Sequence, residues 1–166
     1  MLGSVAGLRD IDAIFGNPAL VGTSVGTLAG FGRYDGATQV SVATSASLGP
    51  FNVGVGAQLL DAGVSQVRLP LPSRSLISRG HLAAASTVGA FALSTTFKGL
   101  RWGAALKVVD ERLASLHDGS LVLDLGIARD GGRLTTGLSV QNIGSGVALG
   151  TTRAQLPLRV SLGMAG

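Results

Sequence analysis

Polar and charged side chains recur at alternate positions of several segments in the second half of the chain. They are Lys107, Glu111, Asp124, Gln141 and Arg159, and the other alternate positions of these segments are mostly small residues, such as Gly103, Ala105, Gly126 and Ser139. Side chains two residues apart in a strand point to the same face, so these five would share one face of a sheet. Two interpretations stay open at this point: a polar network that lines the interior of a barrel and a set of solvated surface charges.

Residue types that perform catalysis or bind metals are sparse in the sequence. It has no Cys and only two His, His81 and His117, both in predicted loops and without a second ligand at metal-binding spacing. Asp110 and Glu111 are neighbours on a predicted strand, so they point to opposite faces and make a poor acid–base pair. No GxSxG, P-loop or complete GxGxxG motif is present. We therefore expect no enzyme activity, no cofactor and no metal site.

The composition narrows the protein class. Gly accounts for 26 of 166 residues, roughly twice the usual share of about 7%, and charged residues for 13%, about half the usual share. A hydrophobic content of 46% excludes a disordered chain, and Gly without a three-residue period excludes collagen. The net charge is +4, but the basic residues are scattered and only five Phe, one Tyr and one Trp could stack on bases. A packed β protein or a membrane protein remains, and nucleic acid is not expected as a partner.

Apolar residues alternate with small or polar ones in about eight segments, which is typical of β-strands. Five clear segments begin at Phe51, Trp102, Leu121, Leu134 and Leu156, and three fainter ones span 24–34, 38–48 and 87–98. The short turns between them predict consecutive antiparallel hairpins. These turns are Tyr34-Asp35-Gly36, Gly49-Pro50, Lys98-Gly99, His117-Asp118-Gly119 and Asp130-Gly131-Gly132.

Two segments fall outside the alternation. The stretch 61–82 contains Pro70 and Pro72 and predicts one long loop, and the stretch 8–14 predicts a short helical turn before Asn17. No signal peptide is visible at the N terminus, and Gly and polar residues interrupt every long uncharged stretch, so no transmembrane helix is expected.

The alternation fits two architectures. In a soluble sandwich or barrel, the apolar face is the core and the other face carries many Lys, Glu and Thr. In a membrane barrel, the apolar face meets lipid and small residues line the interior. The scarcity of charge favours the membrane barrel, whereas the low aromatic content would give only thin interfacial girdles.

Several segments resemble a known family. Asn17-Pro18-Ala19 resembles the "NPA" segment near the N terminus of FadL-like outer-membrane proteins, which include the PorV/PorQ group. The most specific match is GLSVQNIG at 137–144 followed by LPLRVSLG at 156–163, and the resemblance covers roughly residues 10–166.

The resemblance implies an all-β fold, an antiparallel up-and-down transmembrane β-barrel with an N-terminal plug. Residues 1–22 would form the plug-like segment and residues 23–166 the barrel. Asn17, Pro18 and Ala19 would form the plug turn, with Asn17 bonding local backbone and Pro18 fixing φ; an ordinary Asn-Pro turn is the alternative. Family barrels have about fourteen strands, whereas an eight-stranded barrel leaves room only for side chains or one small ligand.

The resemblance also implies a cellular location and a function. We expect a bacterial outer-membrane protein surrounded by lipid, without enzyme activity, which transports hydrophobic compounds or serves as a surface scaffold for secreted cargo proteins. The five polar residues above would face the lumen. In the long loop, Arg68, Arg74 and Arg79 would contact a partner or lipid headgroups. The alternative is a soluble all-β binding or structural module with a two-sheet core.

Overall fold

A computed structural model describes residues 11–34, 37–66, 81–113, 116–149, 152–154 and 156–166. Within these residues, two 3₁₀ helices, Ile11–Phe15 and Pro18–Leu20, precede ten strands. The strands are β1 (Gly26–Tyr34), β2 (Ala37–Leu48), β3 (Phe51–Gln66), β4 (His81–Phe97), β5 (Leu100–Leu113), β6 (Leu116–Asp130), β7 (Thr135–Gly144), β8 (Val147–Leu149), β9 (Thr152–Ala154) and β10 (Arg159–Ala165). Across these ranges, no helix has the length and apolar content needed to cross a membrane.

Eight of the strands form one sheet, in the order β1-β2-β3-β4-β5-β6-β7-β10, and β8 pairs only with β9 in a small hairpin. Every neighbouring pair in the sheet is antiparallel. The predicted all-β, up-and-down arrangement of about eight strands is therefore confirmed. The sheet is not closed, because β1 and β10 are its two edges and do not pair with each other in the described part of the chain.

Most predicted turns lie where the sequence places them. Gly49-Pro50 and Lys98-Gly99 form the tight turns after β2 and β4, and β6 ends at Asp130 before the turn at 131–134. The turn predicted at His117-Asp118-Gly119 is wrong, because these residues lie inside β6 and pair with Arg112, Glu111 and Asp110 of β5. Leu116 already pairs with Leu113, so β5 and β6 are joined through 114–115. For the turn predicted at 34–36, residues 35–36 lie outside the described residues.

Other predicted boundaries shift as well. The loop predicted at 61–82 is wrong at both ends, because β3 extends to Gln66 and β4 begins at His81; His81 is therefore in a strand, not in a loop. The loop candidates Arg68, Arg74 and Arg79 lie outside the described residues. The last strand begins at Arg159 rather than Leu156, because Pro157 has no N–H to donate to a ladder.

The two faces of the sheet differ in side-chain size. One face, which we call the covered face, carries mainly Gly, Ala and Ser. It lies under residues 11–21, which we call the N-terminal segment. The opposite face, the apolar face, receives large exposed side chains from every strand. Examples in sheet order are Phe31, Val42, Val55, Phe91, Leu106, Leu125, Leu138 and Leu162.

The buried core lies between the covered face and residues 13–21. Ile14, Leu20 and Val21 of this segment are almost fully buried, and their partners on the sheet are mostly alanines. Ile14 and Val21 pack in one cluster with Ala43, Ala90, Ala92 and Ala105. The sheet thus contributes small side chains and the segment contributes large ones, so that the two fit together.

Two glycines allow the closest contact between the segment and the sheet. A Cβ on Gly103 of β5 would lie 2.3 Å from the backbone nitrogen of Ala19 and 2.3 Å from the backbone carbon of Pro18. A Cβ on Gly126 of β6 would lie 2.1 Å from Oδ1 of Asn17. Any larger residue at these positions would displace the segment, which gives both glycines a packing role.

We predict that Gly103→Ala destabilises the protein by about 1–3 kcal/mol, because the added methyl overlaps main-chain atoms that cannot rotate away. Gly89→Ala on β4 is the matched control, since a Cβ there meets nothing within 4 Å. Denaturant unfolding followed by far-UV circular dichroism measures both changes. Equal unfolding midpoints for the two variants would contradict the close contact at Gly103.

Candidate functional site

Three of the five predicted polar residues meet in one cluster on the covered face. Lys107 of β5, Asp124 of β6 and Gln141 of β7 come from adjacent strands and are 6%, 0% and 7% exposed. Antiparallel pairing brings them together because each occupies an inward position of its own strand. The burial of these three side chains excludes the solvated-surface interpretation for them, and the lumenal network stays a prediction.

The carboxylate of Asp124 is the centre of the cluster. Its Oδ2 lies 2.5 Å from Nζ of Lys107 and accepts a hydrogen bond from Nε2 of Gln141 at 3.3 Å. Its Oδ1 accepts from the backbone N–H of Asn142 at 2.8 Å. A buried carboxylate needs this opposite charge and these donors to offset the loss of hydration.

A β-bulge produces this geometry. Between the pairs Leu123↔Ile143 and Leu125↔Val140, Asp124 of β6 faces two residues of β7, Gln141 and Asn142. Asn142 has φ +62°, a conformation that Asn tolerates better than most residues. The bulge turns the N–H of Asn142 out of the ladder and towards the carboxylate, while Gln141 stays on the covered face.

The same cluster holds the N-terminal segment. Nζ of Lys107 and Nε2 of Gln141 donate to the carbonyl oxygen of Phe15 at 3.1 and 2.8 Å. Phe15 is the last residue of the first 3₁₀ helix, where carbonyls lack partners within the helix. Lys107 and Gln141 therefore also cap this helix and join the segment to β5 and β7.

The turn at Asn17, Pro18 and Ala19 begins two residues after Phe15. Oδ1 of Asn17 accepts a hydrogen bond from the N–H of Ala19 at 3.1 Å, and Pro18 occupies the first position of the second 3₁₀ helix. Asn17 and Ala19 are fully buried, and Pro18 is buried with them. The structure thus gives Asn17 the local backbone bond expected of it and places the turn against Gly103 and Gly126.

The other two polar candidates lie apart from the cluster. Glu111 is four residues beyond Lys107 on β5, and it accepts a hydrogen bond from Oγ of Ser86 at 2.8 Å. Arg159 lies at the beginning of β10, is exposed, and donates from Nε to Oγ of Ser161 at 3.2 Å. Arg159 pairs in register with Gln141 but takes no part in the buried network.

Sequence reasoning missed several participants. The carbonyl of Phe15 has no sequence signal, since every residue has a carbonyl. Asn142 could have been suspected, because Asn is one of the few non-Gly residues that adopts positive φ readily. Ser139, two residues before Gln141, is buried on the same face, and its hydroxyl has no hydrogen-bond partner.

The chemistry available to the cluster is charge neutralisation and anchoring. The Lys107 ammonium is bound to the Asp124 carboxylate and to a main-chain carbonyl, so it acts as a bridge between the sheet and the segment. Within the described residues, no three His, Asp or Glu side chains converge as metal ligands would. The site is thus built to hold the N-terminal segment in place.

Comparisons of the chain with known protein families, with curated proteins and with solved structures give no match.

We predict that Lys107→Met destabilises the fold by about 3–5 kcal/mol, because it leaves the Asp124 carboxylate buried without its counter-charge. The double variant Lys107→Met/Asp124→Leu should recover part of this loss, since it removes the stranded charge. Denaturant unfolding of the single and double variants gives both values.

The control is Arg112→Met, which breaks an ion pair with Asp110 whose side chains are 68% and 36% exposed. Exposed ion pairs contribute about 0–1 kcal/mol to the free energy of unfolding, so the unfolding midpoint of this variant should be near that of the wild type. If the Lys107→Met variant also had an unfolding midpoint near that of the wild type, the anchoring role of the cluster would be refuted.

Proposed function

We propose that the protein is a non-enzymatic β-barrel protein of the bacterial outer membrane. Its apolar face contacts lipid, and its covered face lines a lumen that the N-terminal segment plugs. The observation that carries this proposal is the exposure of large apolar side chains on all eight strands of the sheet, up to 79% for Leu162 and 75% for Phe31.

A water-exposed sheet face of this composition is unfavourable. Each large apolar side chain that leaves water contributes about 1.5–3 kcal/mol, and a contiguous patch of them marks a surface that binds protein or membrane. In the described part of the chain, no second sheet covers the apolar face, since the only other sheet is the β8–β9 hairpin. This arrangement supports a lipid environment over the alternative of a soluble module with a two-sheet core.

The strand lengths and a surface groove also suit a bilayer. A transmembrane β-strand needs about 9–11 residues, and β2 to β7 have between 10 and 17. The apolar face carries an open groove whose lining includes Trp102, Leu125, Ile127, Leu138 and Val140.

The N-terminal segment indicates a barrel wider than eight strands. The interior of an eight-stranded barrel is filled by its own side chains, whereas here a segment with two 3₁₀ helices lies on the covered face. The edge strands β1 and β10 keep the alternation of small inward and large outward residues, as Gly30 and Phe31 or Gly163 and Met164 show. Neither edge contains a Pro to block further pairing. The barrel that we propose closes by adding strands at β1 and β10.

Within this class, the proposed roles are transport of hydrophobic compounds and support of secreted cargo proteins at the cell surface. The plug is packed against Gly103 and Gly126 and bonded to Lys107 and Gln141. Transport through the lumen would require these contacts to break, whereas a surface scaffold works with the plug in place. The tight plug therefore favours the scaffold role.

Trp102, the single tryptophan, tests the lipid contact. We expect its fluorescence in phosphatidylcholine vesicles to be quenched strongly by phospholipids brominated on their acyl chains and weakly by aqueous iodide, because Trp102 is 47% exposed on the apolar face. A chain that folds as a monodisperse β protein in plain buffer, with Trp102 open to iodide, would refute the membrane proposal.

A pair of cysteine variants provides the matched control, since the chain has no Cys. Leu106→Cys lies on the apolar face and Ala105→Cys on the covered face, one residue apart. We expect a lipid-soluble maleimide to label Cys at position 106 and to spare position 105. Equal labelling would show that the two faces do not have different surroundings.

A further inference from the structure

The end of the sheet that carries the turns after β2, β4 and β6 has a distinct surface, which we call the short-turn rim. Three aromatic side chains lie near it on the apolar face: Phe51, Phe97 and Trp102, which are 44%, 60% and 47% exposed. Phe51 and Trp102 both pair in register with Thr95, and Phe97 follows two residues later on the same strand. The three rings thus form a band across β3, β4 and β5.

Three exposed cations lie just beyond this band. Lys98 is in the turn after β4, Arg129 is near the end of β6, and Arg133 is in the turn after β6. Nζ of Lys98 lies 5.3 Å from the centre of the Phe97 ring, so cation and aromatic ring belong to one surface.

No carboxylate side chain neutralises these three cations locally. Asp130 is the only Asp or Glu in residues 46–54, 94–102 and 127–137, all of which the structure describes. Asp130 is engaged elsewhere, because it forms an ion pair with Arg101 and accepts a hydrogen bond from Thr135 at 2.9 Å. The rim therefore presents a net positive charge next to exposed aromatic rings.

We infer that the short-turn rim lies in the headgroup layer of a leaflet that contains anionic phospholipid, and that Lys98, Arg129 and Arg133 bind lipid phosphates there. This inference rests on the proposed membrane location and adds to it the lipid class and the end of the sheet that binds it. Aromatic rings prefer the interface between hydrocarbon and water, and Lys and Arg extend from apolar surface to reach charged headgroups.

The arrangement suits a lipid surface better than a single phosphate ion. The cations come from two turns and one strand end, and Lys98 lies about two strand spacings, or about 10 Å, from Arg129. All three side chains are exposed. A row of separate cations matches a layer of many phosphates, each of which can meet one side chain.

The test compares folding of the full chain into phosphatidylcholine vesicles with and without one-fifth phosphatidylglycerol. A cation near an anionic surface strengthens binding about fivefold. We therefore expect the lipid concentration for half-maximal folding to be at least about tenfold lower with phosphatidylglycerol. We call this decrease in the lipid concentration the gain. For the triple variant Lys98→Gln/Arg129→Gln/Arg133→Gln the gain should be about twofold or less, and added salt should make it smaller for the wild type.

The matched control is Arg33→Gln/Arg112→Gln/Arg159→Gln, which removes three cations from the opposite end of the sheet and gives the same net charge. Asp61, Asp110, Glu111 and Asp118 lie near that end. The control should keep most of the wild-type gain. An equal loss in both triple variants would overturn the inference, because net charge alone would then explain the lipid effect.

Further outcomes separate the two proposals. Folding that is equally efficient in both vesicles, with Trp102 quenched by brominated chains, would refute the anionic-lipid inference and leave the membrane proposal standing. A chain that folds as a monodisperse β protein in plain buffer and enters neither vesicle would refute both. If inorganic phosphate or lipopolysaccharide at matched ionic strength reproduced the gain in pure phosphatidylcholine, the rim would bind phosphate in general, and the assignment to phospholipid would be wrong.

Discussion

The close approach of the Pro18–Ala19 backbone to β5 and β6 is the constraint on which the rest of the structure depends. Main-chain atoms can lie this near a sheet only where the sheet has no side chains, which accounts for Gly103 and Gly126. Around them, alanines of β2, β4 and β5 receive Ile14 and Val21. The small residues of the covered face and the large residues of the segment are therefore two halves of one core.

This core contains few large side chains, and the polar cluster adds hydrogen bonds and an ion pair to it. Lys107, Asp124 and Gln141 would be costly to bury as isolated groups, but they satisfy one another and the free carbonyl of Phe15. The bulge at Gln141–Asn142 supplies one further donor to the carboxylate. Packing at the glycines and bonding at the cluster thus act on the same short segment from adjacent strands.

The distribution of polarity is the reverse of that in a water-soluble sheet. The polar and small residues face the buried segment, and the large apolar residues face outward. Apart from the buried pair of Lys107 and Asp124, the ion pairs of the described residues lie near the two ends of the strands, where Arg101 pairs with Asp130 and Arg112 with Asp110. A sheet with an apolar middle and charged ends has the profile of a bilayer, and this correspondence underlies both proposals.

The alternation of apolar with small or polar residues predicted most of the strands and assigned their residues to two faces, because a period of two depends only on neighbouring residues. It also placed Lys107, Asp124 and Gln141 on one face, without deciding whether that face is solvated, and it predicted a turn at Asn17 and Pro18. The sequence could not show that Lys107, Asp124 and Gln141 form a cluster without Glu111 and Arg159. Which side chains meet depends on the register of the strands, and the register around Asp124 depends on a bulge at Asn142. The His117-Asp118-Gly119 turn was misplaced for a related reason: a turn signal is local, whereas pairing with β5 extends β6 through it. Only the tertiary structure decided that the carbonyl of Phe15 joins the cluster, because that contact links residues 92 and 126 positions apart in the chain.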